Sequence, residues 1–130
     1  MDQTLIKLRI ESILKHIDSI TNDLKDKNLE EFQKSDLYVR ATCFSLMQIG
    51  EQLTHLHKII GNDYPDIPWS EAIKLRTLIV HIYNKVNASR IYDIAKKDLK
   101  PLRNEILKIQ IDYTIIFHVI TYNYAYIVKL

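Results

Sequence analysis

The chain has 130 residues and a mass of 15.4 kDa, and we expect it to form one domain covering residues 1–130. Hydrophobic residues make up 47% of it and charged residues 26%, which excludes a disordered polypeptide, and two glycines with three prolines are too few for a barrel of many short strands. The formal net charge of +2 is too small to identify a nucleic-acid or membrane binder, so any RNA contact needs a local patch.

The single cysteine, Cys43, excludes an intrachain disulfide and a cysteine-based metal cluster. A reducing, cytoplasmic setting fits this cysteine usage. The first four residues lack the pattern of a signal peptide, and no stretch before residue 109 is apolar enough to span a bilayer. We therefore expect a cytoplasmic protein without a membrane partner.

Two long amphipathic helices are predicted in the first half of the chain, because apolar residues recur there at alternating steps of four and three. The first seam consists of Ile6, Ile10, Ile13, Ile17, Ile20 and Leu24. The second seam consists of Val39, Cys43, Leu46, Ile49, Leu53, Leu56 and Ile60. Ser35 or Asp36 can cap the second helix, after a polar connection. Gly50 lies in its middle, where the missing side chain permits close approach of a neighbouring backbone.

A short and stiff connection is predicted after the second helix. Gly61-Asn62 predicts a left-handed helix stop, and the prolines at 65 and 68 confine their neighbours to extended backbone. The third helix is predicted to begin between residues 66 and 70 and to end near Asn84.

Two further helices complete the predicted bundle. Ser89 can cap a short fourth helix that ends near Asp98, and Pro101 marks the start of a fifth. The fifth repeats the spacing of four and three at Leu102, Ile106, Ile109, Tyr113, Ile116 and Ile120. The predicted fold class is all-α, a bundle of about five helices without an internal repeat.

The C-terminal segment, residues 109–130, is an apolar and tyrosine-rich extension whose role the sequence leaves open. Residues 113–128 carry no formal charge and are rich in β-branched and aromatic types. We expect a continued helix, either buried in the bundle or forming a dimer contact. Sixteen residues are short for a membrane anchor. A strand-like tail is the other alternative, because tyrosines alternate at 122, 124 and 126.

The third predicted helix carries arginine, histidine and tyrosine in a stretch that otherwise has the pattern of a buried helix. On an ideal helix Arg76 and Tyr83 differ by about 20° and share a face, whereas His81 is about 140° from Arg76. One straight helix therefore cannot direct both Arg76 and His81 at one atom unless it ends or unwinds there. A second copy related by a two-fold axis removes the difficulty and favours a symmetric homodimer.

Arginine and histidine together suit the cleavage of a phosphodiester bond. Arginine is a permanent cation whose donor fork suits phosphate, and histidine transfers protons near neutral pH. RNA already carries its nucleophile, the 2′-hydroxyl, so that a base and a cation suffice without metal. Judged by spacing alone, an arginine and a histidine in one helix more often have structural roles. The arginine then forms a salt bridge, and the histidine lies in the core or caps the helix.

Several motifs occur together in one order: Gln48-Ile49-Gly50-Glu51, Ile67-Pro68-Trp69 and Arg76-x4-His81-x-Tyr83. A segment that contains acidic residues and leucines, from Ile91 to Leu102, follows these motifs. Over residues 1 to about 108, the sequence with these features resembles the HepT-like toxins of the HEPN superfamily. The resemblance implies an all-α homodimer with an endoribonuclease site in the dimer cleft. It also implies that the site is independent of metal and of any cofactor.

The resemblance implies roles for residues of the third helix. Arg76 and His81 would be the catalytic residues of an RNA-cleaving toxin in a type VII-like toxin–antitoxin module. Tyr83 would be the tyrosine that a partner nucleotidyltransferase antitoxin adenylylates to silence the toxin. Two residues depart from the family motif: Thr77 stands where asparagine is most usual, and Ile82 where glycine is common.

The two departures favour an alternative function, a catalytically degenerate HEPN dimer that binds a nucleotidyltransferase without cleaving RNA. An accessory nucleotide-binding subunit of that enzyme is a third possibility. Arg40, Glu51 and Thr77 would support the cleft if the resemblance holds throughout. For Arg40 and Glu51, however, the residues alone favour a surface ion pair or solvated charges.

The remaining histidines and the cysteine have structural interpretations. His55 and His57 point about 200° apart on a helix, so joint ligation of a metal is not expected. His16 and His118 are isolated and are predicted to be structural. Cys43 lies on a helix seam and is predicted to be a small core residue.

Overall fold

A computed structural model describes residues 3–85 and 87–129 of the chain. Its helices are α1 (Gln3–Leu24), α2 (Leu29–Lys34), α3 (Asp36–Ile60), α4 (Trp69–Asn84), α5 (Ala88–Lys97) and α6 (Leu99–Lys129), with a 3-10 turn at Gly61–Asp63. The described residues contain no strand, so the predicted all-α fold class is confirmed. The helices number six rather than five because α2 is additional.

Helix α3 lies at the centre of the bundle, between α1 and α4. It runs antiparallel to α1, because Arg9 donates to Gln52 at 2.9 Å while the His16 ring and the Ser45 hydroxyl are hydrogen-bonded at 3.2 Å. Helix α6 also packs on α1, and Arg103 of α6 pairs with Asp18 of α1 at 2.8 Å. All predicted seam residues of α1 are buried, and so are those of α3 except the partly buried Val39. Apolar periodicity therefore located the core of the bundle.

Helix α2 occupies part of the segment that the sequence analysis treated as a polar connection. Asn28 caps it by accepting from the Glu31 N–H at 2.8 Å, and the Glu31 carboxylate accepts from the Asn28 N–H at 3.3 Å. Phe32 is fully buried, with its ring 5.4 Å from that of Tyr92. The capping box and the lone aromatic were the available sequence signals for α2.

The predicted left-handed stop at Gly61-Asn62 is wrong. Gly61 has φ −56° and ψ −37°, which is right-handed helical backbone, and the chain continues through the 3-10 turn. A Cβ atom at Gly61 would meet the ring of His57. Space, rather than a positive φ, accounts for glycine at this position.

The other helix boundaries lie close to their predicted positions. Ser35 caps α3 by accepting from the Tyr38 N–H at 3.3 Å, as predicted, and α4 begins and ends within its predicted limits. The cap of α5 is Asn87 instead of Ser89, since its side chain accepts from the Arg90 N–H at 3.2 Å. Helix α6 begins at Leu99, which places Pro101 in the first turn, where a missing N–H is tolerated.

Helix α6 continues to Lys129 without a break. The prediction of a continued helix is confirmed, and the strand-like alternative is wrong for the residues described. Burial within the chain's own bundle is also wrong, because the described side chains after Tyr113 are exposed. Among the helices of the described ranges, none is both long and apolar enough to cross a membrane.

Candidate functional site

The start of α4 is anchored by Trp69. Its indole N–H donates to the Tyr64 carbonyl at 2.9 Å, and its ring lies 5.3 Å from the ring of His57. Trp69 and Ile67 are both buried in the core. The Ile67-Pro68-Trp69 motif is thus structural, and it determines where α4 leaves the loop and how it lies on α3.

Gly50 brings α4 close to α3 at the position of Arg76. A Cβ atom at Gly50 would lie 2.9 Å from the Arg76 backbone nitrogen and 3.1 Å from the Arg76 Cβ. Backbone cannot move aside as a flexible side chain can, so only glycine permits this separation of the two helices. The close approach predicted for Gly50 is confirmed, and it occurs at a candidate site residue.

Glu51, the next residue of α3, holds the arginine side chain. Its Oε2 accepts from Arg76 Nη1 at 2.8 Å, while its Oε1 lies 3.2 Å from His55 Nε2. The Arg76 side chain remains 60% exposed, so this contact orients Arg76 without removing it from solvent. Glu51 therefore forms a surface ion pair, as the residues alone predicted, and its partner is the candidate site residue Arg76.

Arg76 and His81 line one shallow cleft, together with Thr77, Val80 and Asn84. Arg76 and His81 lie at the two edges of the cleft, about 140° apart on the helix wheel. The wheel positions between them belong to Val80, Asn84 and Thr77. Helix α4 continues through His81 to Asn84, so it neither ends nor unwinds there. The prediction that one straight helix does not direct Arg76 and His81 at the same atom therefore stands, although both side chains line this cleft.

Tyr83 lies in a second cleft that adjoins the first. Its lining consists of Arg40, Cys43, Phe44, Met47, Val80, Tyr83 and Asn84, so Val80 and Asn84 belong to both clefts. Tyr83 is 40% exposed. Arg40 accompanies it at this cleft, with its Nε donating to Asp36 at 2.7 Å. Tyr83 is thus partly exposed to solvent at this cleft.

The sequence analysis did not single out Val80 or Asn84. The signal was present, because both fall inside the arc from Arg76 to His81 on the same helix wheel. Val80 is an exposed apolar residue, and Asn84 supplies an amide. Ile82, one of the two departures from the family motif, is buried in the core and lines neither cleft.

The other histidines serve the fold. His55 contacts Glu51, and His57 packs on Trp69, so the two do not face a common point. His16 contacts Phe44 edge to face, and burial lowers the pKa of its imidazole. Within residues 3–85 and 87–129, no three His, Cys, Asp or Glu side chains cluster as metal ligands do. His118 lies on the exposed end of α6 and lines neither cleft.

We expect Cys43 to react slowly with iodoacetamide. Burial raises the pKa of this thiol to about 11, so the thiolate fraction at pH 8 is about a thousandth. Alkylation of the folded chain, followed by mass spectrometry, should be slower by about two orders of magnitude than alkylation in denaturant. Equal rates in the two conditions would contradict the burial of Cys43, and glutathione provides the rate of an unhindered thiol.

The two clefts form one surface that combines three chemical capacities. Arg76 offers N–H donors and a permanent positive charge, His81 a group that transfers protons, and Tyr83 a hydroxyl in the adjoining cleft. These groups suit an anionic substrate that undergoes proton transfer, as a phosphodiester does.

Comparison with known proteins agrees with this chemistry. The model of a family described as "Ribonuclease HepT-like" matches residues 10–109. A protein of Methanocaldococcus jannaschii named "Putative RNase" is 32% identical over 104 residues, which are 80% of this chain and 90% of that protein. "Probable ribonuclease HepT" of Thermococcus cleftensis is 26% identical over 105 residues, 78% of this chain and 92% of that protein.

One similar protein is considerably longer than this chain. It is a M. jannaschii protein named "Gamma-glutamylcyclotransferase and putative RNase", 31% identical over 104 residues that are 80% of this chain but 47% of its own length. No solved structure matches the chain significantly. The family match ends at residue 109, so it covers both clefts and leaves most of α6 outside.

Proposed function

Because the chain belongs to the HepT-like ribonuclease family, we propose that it is a metal-independent endoribonuclease whose site is the cleft lined by Arg76 and His81. The observation that supports this most directly is the shared cleft itself. Its two edges hold a cation and a proton-transfer group, and the Arg76 side chain is paired with Glu51 yet remains exposed to a ligand.

In the proposed reaction His81 accepts the proton of a ribose 2′-hydroxyl. The 2′-oxygen attacks the adjacent phosphorus, the bond from phosphorus to the 5′-oxygen breaks, and that oxygen leaves after taking up a proton. Arg76 binds the non-bridging oxygens, whose negative charge grows in the transition state. The products are a 2′,3′-cyclic phosphate and a 5′-hydroxyl.

A symmetric homodimer would complete this site by supplying a second histidine to protonate the leaving oxygen. Support comes from the apolar residues around the clefts, since Phe44 is 58% and Val80 42% exposed. Apolar side chains on such a surface are typical of a protein contact. Pairing of two copies here brings both Arg76 and both His81 residues to one cleft.

We further propose that the chain is the toxin of a toxin–antitoxin module and that a nucleotidyltransferase antitoxin silences it by adenylylating Tyr83. The support is positional: the Tyr83 cleft shares Val80 and Asn84 with the cleft of Arg76. An AMP group on Tyr83 adds a phosphate charge and bulk beside the arginine. RNA would then be excluded from the site.

The test of the ribonuclease proposal is incubation of the purified chain with single-stranded RNA in the presence of a chelator. We expect cleavage that leaves cyclic phosphate ends. Cleavage that needs added Mg²⁺ would contradict the mechanism. The absence of cleavage, combined with stable binding to a nucleotidyltransferase, would support the degenerate binding partner instead.

We expect Tyr83→Phe to retain RNA cleavage and to escape silencing by the nucleotidyltransferase. A phenylalanine preserves the ring in the cleft but offers no oxygen to the adenylyl group. The measurement is intact-mass and peptide mass spectrometry after co-expression, together with growth of the producing cells. Tyr122→Phe, at the most exposed of the large hydrophobic residues, is the matched control and should still be silenced. AMP found on another tyrosine of a silent toxin, with Tyr83 unmodified, refutes the assignment.

A further inference from the structure

Asn84 belongs to both clefts and takes no part in the proposed cleavage step. Its side chain is exposed at the last residue of α4. It lines the cleft of Arg76 and His81 as well as the Tyr83 cleft. An amide presents a hydrogen-bond donor and an acceptor side by side. Asn84 can therefore form a pair of hydrogen bonds with a group that occupies either cleft.

The Tyr83 cleft is a slot between two helices. Its volume is about 330 Å³, near the lower limit of the roughly 300–1,000 Å³ that sites for small molecules occupy. A slot of this size suits one planar ring system with its substituents. Helix α3 provides one side and α4 the other, and the lining residues are Arg40, Cys43, Phe44 and Met47 of α3 and Val80, Tyr83 and Asn84 of α4.

The chemistry of this slot suits an unpaired nucleobase. Its α3 side carries two planar groups, the 58% exposed ring of Phe44 and the guanidinium of Arg40, whose side chain is 57% exposed. Unpaired RNA bases stack on aromatic rings and guanidinium planes, and hydrogen bonds to their edges identify them. Asn84 offers such hydrogen bonds from the α4 side. None of the residues that line the slot is a carboxylate, which would repel the RNA backbone.

We propose that the Tyr83 cleft binds the base on the 5′ side of the cleaved bond and that Asn84 selects adenine there. This proposal rests on the ribonuclease function proposed above, and it adds the base preference of the same site. Asn84 is then a specificity-determining residue, which touches the substrate but neither transfers a proton nor stabilises the charge of the transition state.

The position of the reacting oxygen determines which base reaches Asn84. In the proposed reaction His81 accepts the proton of a 2′-hydroxyl, and the base of the same nucleotide is attached to the neighbouring ribose carbon. Asn84 lies about 4.5 Å further along α4 than His81 and about 60° around the helix, on the side of Arg76. The base of the attacking nucleotide therefore meets Asn84 where the two clefts adjoin. The base on the 3′ side is separated from that oxygen by the phosphate and a second ribose.

The amide of Asn84 matches adenine better than it matches the other bases. Adenine offers its N6 donor beside an acceptor on two edges, at N7 and at N1, so an amide can form two hydrogen bonds with either edge. Guanine, cytosine and uracil provide a donor beside an acceptor on their Watson–Crick edge only, and N7 and O6 of guanine are both acceptors. Adenine also has the two fused rings that give a large area for stacking.

The first test uses four oligodeoxynucleotides that each contain one ribonucleotide, with adenine, guanine, cytosine or uracil as its base. The single 2′-hydroxyl confines cleavage to one bond, so single-turnover rates in a chelator report on the base 5′ of that bond. We expect the adenosine substrate to be cleaved about tenfold faster than the others, because a bidentate pair discriminates by at least that order. Asn84→Ala should lower the adenosine rate to that of the other three substrates and leave their rates unchanged.

The matched control is Asn104→Ala. Asn104 is an exposed asparagine of α6 that lines neither cleft, so this variant should keep the preference for adenine. Phe44 is left unchanged, so that the proposed dimer contact is not disturbed. Equal wild-type rates for the four substrates would overturn the proposal, and so would a preference that Asn84→Ala leaves intact. A preference for another base would overturn the assignment of adenine.

A binding measurement separates this proposal from the ribonuclease function. Adenosine 3′-monophosphate and uridine 3′-monophosphate resemble the end of the 5′ product and require no cleavage. In calorimetric titrations we expect the adenosine compound to bind about tenfold more tightly, with the difference lost in Asn84→Ala and kept in Asn104→Ala. A wild type that shows this preference but cleaves none of the four substrates would refute the ribonuclease proposal and support the base site. Cleavage of all four at equal rates, with equal binding of the two nucleotides, would refute the base site alone.

Discussion

We expect Arg76→Ala and His81→Ala each to reduce RNA cleavage by about two to four orders of magnitude and to leave the far-UV helical signal unchanged. Loss of a positioned cation removes stabilisation of the phosphorane-like transition state, which is worth about 10²–10³ in rate. Loss of the proton acceptor costs about 10²–10⁴. Both side chains are exposed, so neither substitution leaves a cavity in the core. Single-turnover cleavage of a labelled RNA measures the effect.

The matched control for this pair is Lys74→Ala. Lys74 is an exposed cation of the same helix, but it belongs to a different surface, near Trp69. Its removal tests whether any positive charge on α4 attracts RNA, because general electrostatic attraction would fall equally in Lys74→Ala and Arg76→Ala. Equal activities of Lys74→Ala and Arg76→Ala would show that Arg76 acts through general attraction of RNA. Loss of helicity in His81→Ala would show that His81 acts on folding.

Gly50→Ala lowers both the stability of the bundle and the rate of cleavage. In a free helix this substitution gains about 1 kcal/mol of helix propensity. Here the new methyl group would lie 2.9 Å from the Arg76 backbone nitrogen, so α4 must move away from α3. Overpacking costs about 1–3 kcal/mol, and it outweighs the gain in propensity when backbone has to move. We therefore expect the free energy of unfolding to fall by about 1 kcal/mol in urea titrations.

The effect of Gly50→Ala on cleavage should exceed its effect on stability. The shift occurs at Arg76 itself, and a displacement of about 1 Å at a reacting group can reduce a rate a hundredfold. We expect kcat to fall at a temperature where the variant is fully folded. Gly61→Ala is the control for overpacking by a methyl group, because the nearest atoms to its methyl group belong to the His57 ring and not to Arg76. Cleavage at the wild-type rate by folded Gly50→Ala would show that the close approach does not position Arg76.

The elements that the sequence determined are those whose signal is local and repeated. Apolar residues at steps of four and three specify which face of a helix leaves water, so the seams of α1 and α3 were predicted residue by residue. The bounds of α4 lie within the predicted limits, a start between residues 66 and 70 and an end near Asn84, and the placement of Thr77 beside Arg76 follows from helix geometry alone. These features need no knowledge of a neighbouring helix.

Tertiary packing decided the features for which the local signal is weak. Helix α2 has six residues, too few to be stable alone, and the burial of Phe32 against Tyr92 stabilises it. Glycine is the residue type that usually forms a left-handed helix stop. At position 61, however, the nearby His57 ring, and not the local backbone conformation, explains why the residue is glycine. Such outcomes depend on space that another segment occupies.

The site shows the same division. Sequence alone placed Arg76, His81 and Tyr83 on one helix, and the wheel gave the angles between them. It could not show that Glu51, 25 residues away, accepts from Arg76, or that the backbone at Gly50 touches the backbone at Arg76. Periodicity specifies which way a side chain points, whereas the distance and relative rotation of two helices depend on every side chain packed between them. Only the tertiary structure could therefore decide how the arginine is held.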